Sequence, residues 1–416
     1  MDKYRTPPYE QSVLTTGLVT AAEEELEAIL GWWAQRMPDR ENGGFYGRID
    51  GKGRLHPHAD KGVILHTRIL WSFAAAARVA GQADYHSLAD QAYRYLMDNF
   101  RDPLHGGVFW MLDYQGAPLQ GRKQVYAQAF AIYALAEYFA LTGSETALEA
   151  AFELFWLVEK YSRDLIRGGY YEAFEQDWRP AADLRLSDKE PQAAKTMNTH
   201  LHVLEAYTRL YEVSKDEAVK EGLLQLAYLM HERFLDAGAH SLHLFFTEQW
   251  ECLSDEISFG HNIEYSWLST EAAIALKDDK LFDTVGPAAV RMADTVLRTG
   301  IDNEGALANE ARPGKGITDP DKHWWPQAEA VVGFINAWQL SGENRFLEAA
   351  LNCWAFIEKR VKAPKLGEWY WGVGRDGQPM ESEDIAGPWK APYHNSRMCL
   401  ETMKRMGSVN GRAYPG

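Results

Sequence analysis

The chain has almost no cysteine. Cys252, Cys353 and Cys399 are its three thiols, widely spaced and without a C-x-x-C pair, which argues against a disulfide framework or a zinc knuckle and fits a reducing compartment. Basic charge is in deficit too: 43 Lys and Arg stand against 59 Asp and Glu, a net charge of −16. Nucleic acid and anionic membrane are therefore poor partners, and neutral or cationic ligands better ones. The opening MDKYRTPPYEQS has no apolar run behind a basic segment. No uninterrupted apolar stretch approaches the roughly 18 residues of a membrane span. These absences predict a soluble, untargeted, cytoplasmic protein. G-x-S-x-G, Walker A and H-E-x-x-H motifs are missing as well. A G-x-G-x-x-G does occur, GVGRDG at Gly372 to Gly377, but it leads into QPMESED with no helical pattern behind it, so it reads as a hairpin turn and hydride transfer is not expected.

What the chain has in quantity is aromatic side chains, 15 Trp, 20 Tyr and 17 Phe in a 46% hydrophobic composition. It also has a repeat. VAGQADYHSLADQAYRYLMDNF, LTGSETALEAAFELFWLVEKY and LSGENRFLEAALNCWAFIEKR each place a glycine (Gly81, Gly143, Gly342) after a helical pattern, then a polar start, then apolar residues three and four apart. That is a helix C-cap followed by a second helix. A further series, GGFYGRID, GGVFWMLD, GGYYEAF, HSLHLFF, EGALANE and GEWYWGV, is marked by Gly43, Gly106, Gly168, His240, Gly305 and Gly367, at intervals of 63, 62, 72, 65 and 62 residues. Six units of helix, helix and Gly-aromatic hairpin account for nearly all 416 residues. Length alone would suggest two or three domains; the repeat favours one. An open stack needs polar end units, and the terminal units here are as aromatic as the middle ones. The expected fold is therefore all-α, an (α/α)6 barrel of six inner and six outer helices with short β-hairpin loops. It forms a single catalytic domain over 1–416, with irregular tails at about 1–15 and 407–416.

The helix before each Gly turn starts with residues unusual for a core: LHTRILW (Arg68), VYAQAF (Tyr126), MNTHLHVLEAY (Asn198, His200, His202), FGHNIEYSW (His261, Glu264), HWWPQAEA (His323, Trp325, Glu329) and PYHNSR (His394). One marker per unit, Arg68, Tyr126, Asn198, His261, Trp325 and His394, recurs at intervals of 58, 72, 63, 64 and 69 residues, which reads as one structural position repeated six times. The starts of these inner helices should converge on one concave pocket at the barrel mouth. The long loops RPAADLRLSDKEPQAAK, ARPGKGITDPD and 375–390 are expected at that end.

His261-x-x-Glu264 lies on one helix face, and its spacing leaves several chemistries open. A metal would need further ligands from His202, His323 or His394, in a pocket richer in aromatic, Arg and Asn side chains than in carboxylates; none is expected. Glu264 and Glu329 would suit an inverting glycoside hydrolase, yet each lies one helical turn from a His or Trp that it could orient. Two imidazoles on facing helices, His261 and His394, suit proton transfer near neutral pH. One would remove the proton beside a sugar carbonyl and the other return one to the opposite face, with Arg68 and Asn198 as donors to the enediolate oxygens. Trp325 and Trp389 could stack on sugar rings. A sugar-binding protein without catalysis would need the aromatics but not two opposed histidines.

RILWSFAAA, YAQAFAIYALAE, MNTHLHVLEAY, SFGHNIEYSWL, DKHWWPQAEAVVGF and GPWKAPYHNSR, in that order from about residue 20 to 405, closely resemble the cellobiose 2-epimerases of the N-acylglucosamine 2-epimerase superfamily. The resemblance implies an (α/α)6 barrel and a cofactor-independent isomerase that reversibly epimerises C2 of the reducing-end glucose of β-1,4-linked disaccharides. It implies His261 and His394 as the acid/base pair, Glu264 as hydrogen-bond partner of His261, and His202 in ring opening or closure. Arg68, Tyr126 and Asn198 would bind the reacting sugar and Trp325 and Trp389 the rings, with His200 and Glu329 completing the expected binding set. Cellobiose and lactose stay open as preferred substrates. So do aldose-ketose isomerisation and N-acylglucosamine epimerisation on the same scaffold. The expected partner is an oligosaccharide, with no nucleic acid, membrane, metal or cofactor, for a monomer or weak homodimer.

Overall fold

Two kinds of helix alternate along the chain. In the computed structural model, which describes residues 9–407 apart from 81, 82 and 189, α2 (Val63–Ala80), α4 (Val125–Thr142), α6 (Met197–Ser214), α8 (Phe259–Leu276), α10 (Trp324–Ser341) and α12 (Tyr393–Gly407) are buried over most of their length. Helices that are apolar all round belong in a core. Their partners α1 (Tyr9–Arg36), α3 (Ala83–Tyr95), α5 (Glu145–Tyr161), α7 (Glu217–Leu229), α9 (Asp279–Thr299) and α11 (Asn344–Phe356) bury one face and leave charged residues on the other.

The buried helices form a closed ring: α2 packs on α4, α4 on α6, α6 on α8, α8 on α10, α10 on α12, and α12 back on α2. Small residues allow the approach; a side chain at Gly333 of α10 would bring its Cβ within 2.5 Å of Ile263 on α8. Each outer helix covers the inner helix before it, except that α1 covers α12. The two ends of the chain thus make the sixth pair and close the expected (α/α)6 barrel. Gly143 and Gly342 take the left-handed conformation at helix C-caps, with φ of 69° and 75°; Gly81 lies outside the described residues. So do residues 1–8 and 408–416 of the expected tails, whereas 9–15 belong to α1 and Gly407 ends α12. No helix among the described residues is long and apolar enough to cross a membrane.

Two repeated devices hold the hairpins over one end of the barrel. The first is the fourth residue of the inner helix, which satisfies a hairpin backbone N–H. His66 Nε2 accepts from Phe45 at 3.3 Å, Gln128 Oε1 from Val108 at 2.8 Å, His200 Nε2 from Tyr170 at 2.8 Å, Asn262 Oδ1 from Leu242 at 2.9 Å and Gln327 Oε1 from Leu307 at 2.8 Å. In α12, Asn395 acts through Glu368, whose other oxygen accepts from Trp369 N. The second is a buried ion pair just ahead of the inner helix: Lys61 with Asp39 at 2.8 Å, Lys123 with Asp102 at 2.8 Å, Lys195 with Asp164 at 2.7 Å and Lys390 with Glu368 at 3.2 Å. Unpairing any of these charges in a dry site would cost about 3–5 kcal/mol. The degenerate fourth hairpin, HSLHLFF, precedes a helix with Ile257 where the others have lysine.

Candidate active site

At about 100° per residue, positions 2, 3 and 6 of a helix share an arc of about 100°, and position 4 points elsewhere. Counted from the first residue of each inner helix, and from Pro392 in α12, position 2 carries Tyr126, Asn198 and Trp325, position 3 His261 and His394, and position 6 Arg68, His202, Glu264, Glu329 and Arg397. The sequence markers are therefore not one position repeated six times. They occupy two levels, a rim and a floor one turn below it.

Between them lies a cavity of about 480 Å³ lined by Arg68, Tyr126, Asn198, His202, His261, Glu264, Trp325, Trp389 and His394, a volume ordinary for a small-molecule site. Leu186, Ser187 and Glu190 from the loop before α6, and Glu383 from the loop before α12, are also part of its wall, as are Trp324 and Trp371. The third long loop does not reach it. Glu310–Arg312 and Gly316–Asp319 pair as a hairpin, and the first of these strands also pairs with Ile257–Ser258 at the start of α8.

The floor is organised by a residue the sequence reading missed. Arg397 is 1% exposed; its Nη2 donates to Glu264 Oε1 at 2.5 Å and to Glu329 Oε1 at 2.6 Å, and its Nη1 meets Glu205 and the Tyr393 hydroxyl. Three carboxylates thus share one guanidinium. Burial and the neighbouring Glu329 push Glu264 up from the usual carboxylate range. Burial acts on Glu329 as well, but Arg397 and the bond to His394 hold it below that range. Arg397 belongs to the same position-6 series as Arg68, His202, Glu264 and Glu329, and that spacing is the signal that could have found it.

Each cavity histidine has its outer nitrogen held. His394 Nδ1 donates to Glu329 Oε1 at 2.7 Å and His202 Nδ1 to Glu205 Oε2 at 3.0 Å. A carboxylate held ionised beside Arg397 only accepts, so both rings carry a proton on Nδ1 and turn Nε2 to the cavity. His261 Nδ1 lies 2.8 Å from Ser258 Oγ. This corrects the expected pairing of His261 with Glu264: helical side chains lean toward the N-terminus, which brings His261 back to Ser258 while Glu264 turns in to Arg397. Burial, reinforced by His202 and His394, pushes His261 down to about 3; burial does the same to His394, opposed by Glu329 and helped by Arg68 and Arg397. Trp325 packs near both, its ring centroid 4.8 Å from His261 and 5.6 Å from His394. Gly260 makes room for that indole, since a Cβ there would come within 2.5 Å of it.

Arg68 Nη2 donates to the Tyr126 hydroxyl at 2.8 Å and Nη1 to the Trp389 carbonyl at 3.1 Å. Arg68 Nε and Asn198 Oδ1, on two residues that line the cavity, are buried without a protein partner. His200 and Glu329, expected to bind substrate, do not line the cavity. His200 is two residues, or about 200°, from His202 and holds the Tyr170 hairpin instead. Glu329 stands behind His394 and also accepts from Trp267 Nε1 at 3.0 Å. Donor atoms of Glu264, Glu329 and His394 lie within 4.8 Å of one another. A cation placed there would face the Arg397 guanidinium already bridging both carboxylates, and His261 is turned away to Ser258. His323 groups with Asp319 and Asp321 instead.

The site is thus a cavity in a closed helical barrel that presents imidazoles over a guanidinium-carboxylate floor. Residues 44–397 match the family model described as N-acylglucosamine 2-epimerase, and the chain belongs to that family, an enzyme of the isomerase class. It is 44% identical over 375 residues to the cellobiose 2-epimerase of Bacteroides fragilis, covering 90% of this chain and 95% of that one. To the cellobiose 2-epimerase of Ruminococcus albus it is 38% identical over 390 residues, 93% of this chain and 99% of the relative. The solved cellobiose 2-epimerase of Bacillus thermoamylovorans superposes with a TM-score of 0.89 at 40% identity, covering 94% of this chain and all of that one.

Proposed function

We propose that the protein reversibly epimerises C2 of the reducing-end glucose of β-1,4-linked disaccharides without a cofactor, converting cellobiose to its mannose-ended epimer and, as a further substrate, lactose to epilactose. The relatives named cellobiose 2-epimerase support the substrate class. The observation that carries the mechanism is the pair His261 and His394, lining one cavity from two inner helices with their Nδ1 atoms held from outside.

His202, its Nε2 bare, takes the proton of the anomeric hydroxyl and returns it to the ring oxygen, opening the sugar to an aldehyde. His261, kept neutral by burial, then takes the C2 proton at Nε2. The C–H electron pair moves into an enediolate, whose oxygens meet Arg68 and Asn198. His394 enters this step with a second proton taken up from solvent at Nε2, its charge countered by the Glu329 carboxylate; it gives that proton to the other face of C2 as the enediolate electron pair returns to carbon, and His261 releases the abstracted proton to solvent before the next turnover. The reverse reaction exchanges the two roles. Trp325 and Trp389 offer apolar faces to the sugar rings. Glu264 and Glu205 act through Arg397, which fixes the floor.

The test is proton and carbon NMR of cellobiose incubated with metal-stripped protein in D2O. A mannose-ended product carrying deuterium at C2 is expected. Free glucose would indicate hydrolysis, a fructose-ended product isomerisation, and dependence on restored metal a ligand role for the floor carboxylates; each would overturn the proposal.

A further inference from the structure

A serine, threonine or aspartate ahead of a helix normally turns its side chain onto the free N–H groups of the first turn. Thr196 does so for α6, Asp216 for α7 and Asp278 for α9. Ser258 stands in the same place before α8, with extended backbone angles of φ −99° and ψ 109°, yet makes no such cap. Its hydroxyl goes to His261 Nδ1. The residue is not on a loose loop: Ile257 and Ser258 pair with Ala311 and Glu310 in a strand ladder, which fixes where the hydroxyl sits.

The three cavity histidines thus have three partners, Glu205 for His202, Glu329 for His394 and Ser258 for His261, and only the last is neutral. We propose that Ser258 is a positioning residue: its Oγ accepts from His261 Nδ1–H, which leaves Nε2 bare toward the cavity as a base, and because it is a hydroxyl it orients the ring without charging it. This rests on the proposed role of His261. When Nε2 takes the C2 proton, the C2–H bond breaks, its electron pair passes to the enediolate, and the ring becomes imidazolium while Nδ1–H stays on Oγ. Nothing at Ser258 has to move. A carboxylate in that place would favour the imidazolium, as Glu329 does for His394, and suit the ring to the acid's part in this direction rather than the base's.

The experiment uses the full-length protein labelled with 15N-histidine, the His261 resonances being assigned by comparison with His261→Asn, together with steady-state kinetics on cellobiose. In wild type, Nδ1 should show a protonated shift and Nε2 a bare one. Ser258→Ala should shift the ring toward the Nε2–H tautomer and lower kcat by about ten- to a hundredfold, with KM and melting temperature little changed because no helix cap is lost. Ser258→Thr should restore both signals and turnover, and Ser258→Asp should give an imidazolium spectrum with low kcat. The proposal is overturned if Ser258→Ala keeps the wild-type tautomer, or if its loss of kcat follows a loss of folding that threonine does not repair. Failure of the wild type to epimerise any disaccharide would remove the proposed function, whereas the tautomer difference between wild type and Ser258→Ala is read without substrate.

Discussion

Replacing Arg397 with Met keeps the length of the side chain and removes the cation shared by Glu205, Glu264 and Glu329. All four residues are at most 4% exposed. In the native floor burial pushes the carboxyls up, while Arg397 and the histidine bonds hold Glu205 and Glu329 below the ordinary value of 4.5. Without the guanidinium these two must be kept as neutral acids. Protonating one at pH 7 costs about 3.4 kcal/mol against an unfolded value near 4.5, so about 7 kcal/mol for the pair. That is comparable with the whole net stability of a typical domain, about 5–15 kcal/mol. At pH 5 the same cost is about 0.7 kcal/mol each, so the penalty shrinks by about 5 kcal/mol.

The sign follows from proton binding. In the variant the folded carboxyls hold protons that the unfolded chain lacks above 4.5, so its stability falls as pH rises. In wild type the lowered values of Glu205 and Glu329 give stability that is kept above 4.5 and lost only below it. Urea unfolding of both proteins at pH 5, 6 and 7 should therefore show a gap that widens with pH. His202 and His394 offer another outlet, because charging an imidazole at pH 7 costs only about 0.7 kcal/mol against its ordinary value. A gap of about 1–2 kcal/mol that hardly changes with pH would mean the histidines take the protons, and would refute a floor whose carboxylates depend on Arg397 for their charge.

His200→Gln should fold and turn over like wild type, since Gln128 and Gln327 already do the same job. His200→Ala should cost about 1–3 kcal/mol by leaving the Tyr170 N–H unpaired, with KM for cellobiose unchanged; a raised KM would return His200 to the binding set. Glu329→Gln deprives His394 of its carboxylate, and kcat should fall about 10–100-fold at nearly constant KM, an assignment that equal kcat values would remove. Burial pushes His66 down to about 4 and His200, His261 and His394 to about 3. The unfolded chain therefore gains protons below 6.5 that the folded one refuses, and each histidine removes about 1.4 kcal/mol per pH unit. Glu172 and Glu264, raised by burial to about 8, and Glu310, raised to about 7, work the other way above 4.5 and offset much of that loss. The share of one imidazole is read by difference: His200→Gln should gain stability relative to wild type by about 1.4 kcal/mol per pH unit as pH falls from 6.5 to 5, and parallel profiles would show that His200 is not held neutral.

Ring closure was legible because a period near 63 residues and apolar terminal units are properties of the one-dimensional chain. The residue types of the cavity were legible for the same reason. Direction was not. His200 and His202 look equivalent in NTHLH, and only the helix phase separates a hairpin clamp from a cavity base. The pairing of His261 with Glu264 follows from i, i+3 spacing if only one helix is considered; it fails because Arg397, 133 residues from Glu264, competes for the carboxylate. The buried lysines escaped notice since their partners lie 21 to 31 residues away, as in Lys123 to Asp102 and Lys195 to Asp164, across a hairpin whose course is set by tertiary packing.

The first turn of each inner helix thus serves two ends that interleave without conflict. Position 4 holds the preceding hairpin and tolerates His, Gln or Asn, all able to accept from an N–H. Positions 2, 3 and 6 are turned to the barrel interior and carry every inner-helix marker that lines the cavity. At position 3 the six residues are Leu65, Ala127, Thr199, His261, Pro326 and His394. Histidine appears on α8 and α12, with α10 between them. There proline is tolerated because the first turn of a helix has no partner for its N–H. Pro326 adds no third polar group on the stave between theirs, and Trp325 beside it packs near both rings. Two bases on alternate staves, with a helix's width between them, can address a sugar carbon from two directions; on adjacent staves they would compete for one side.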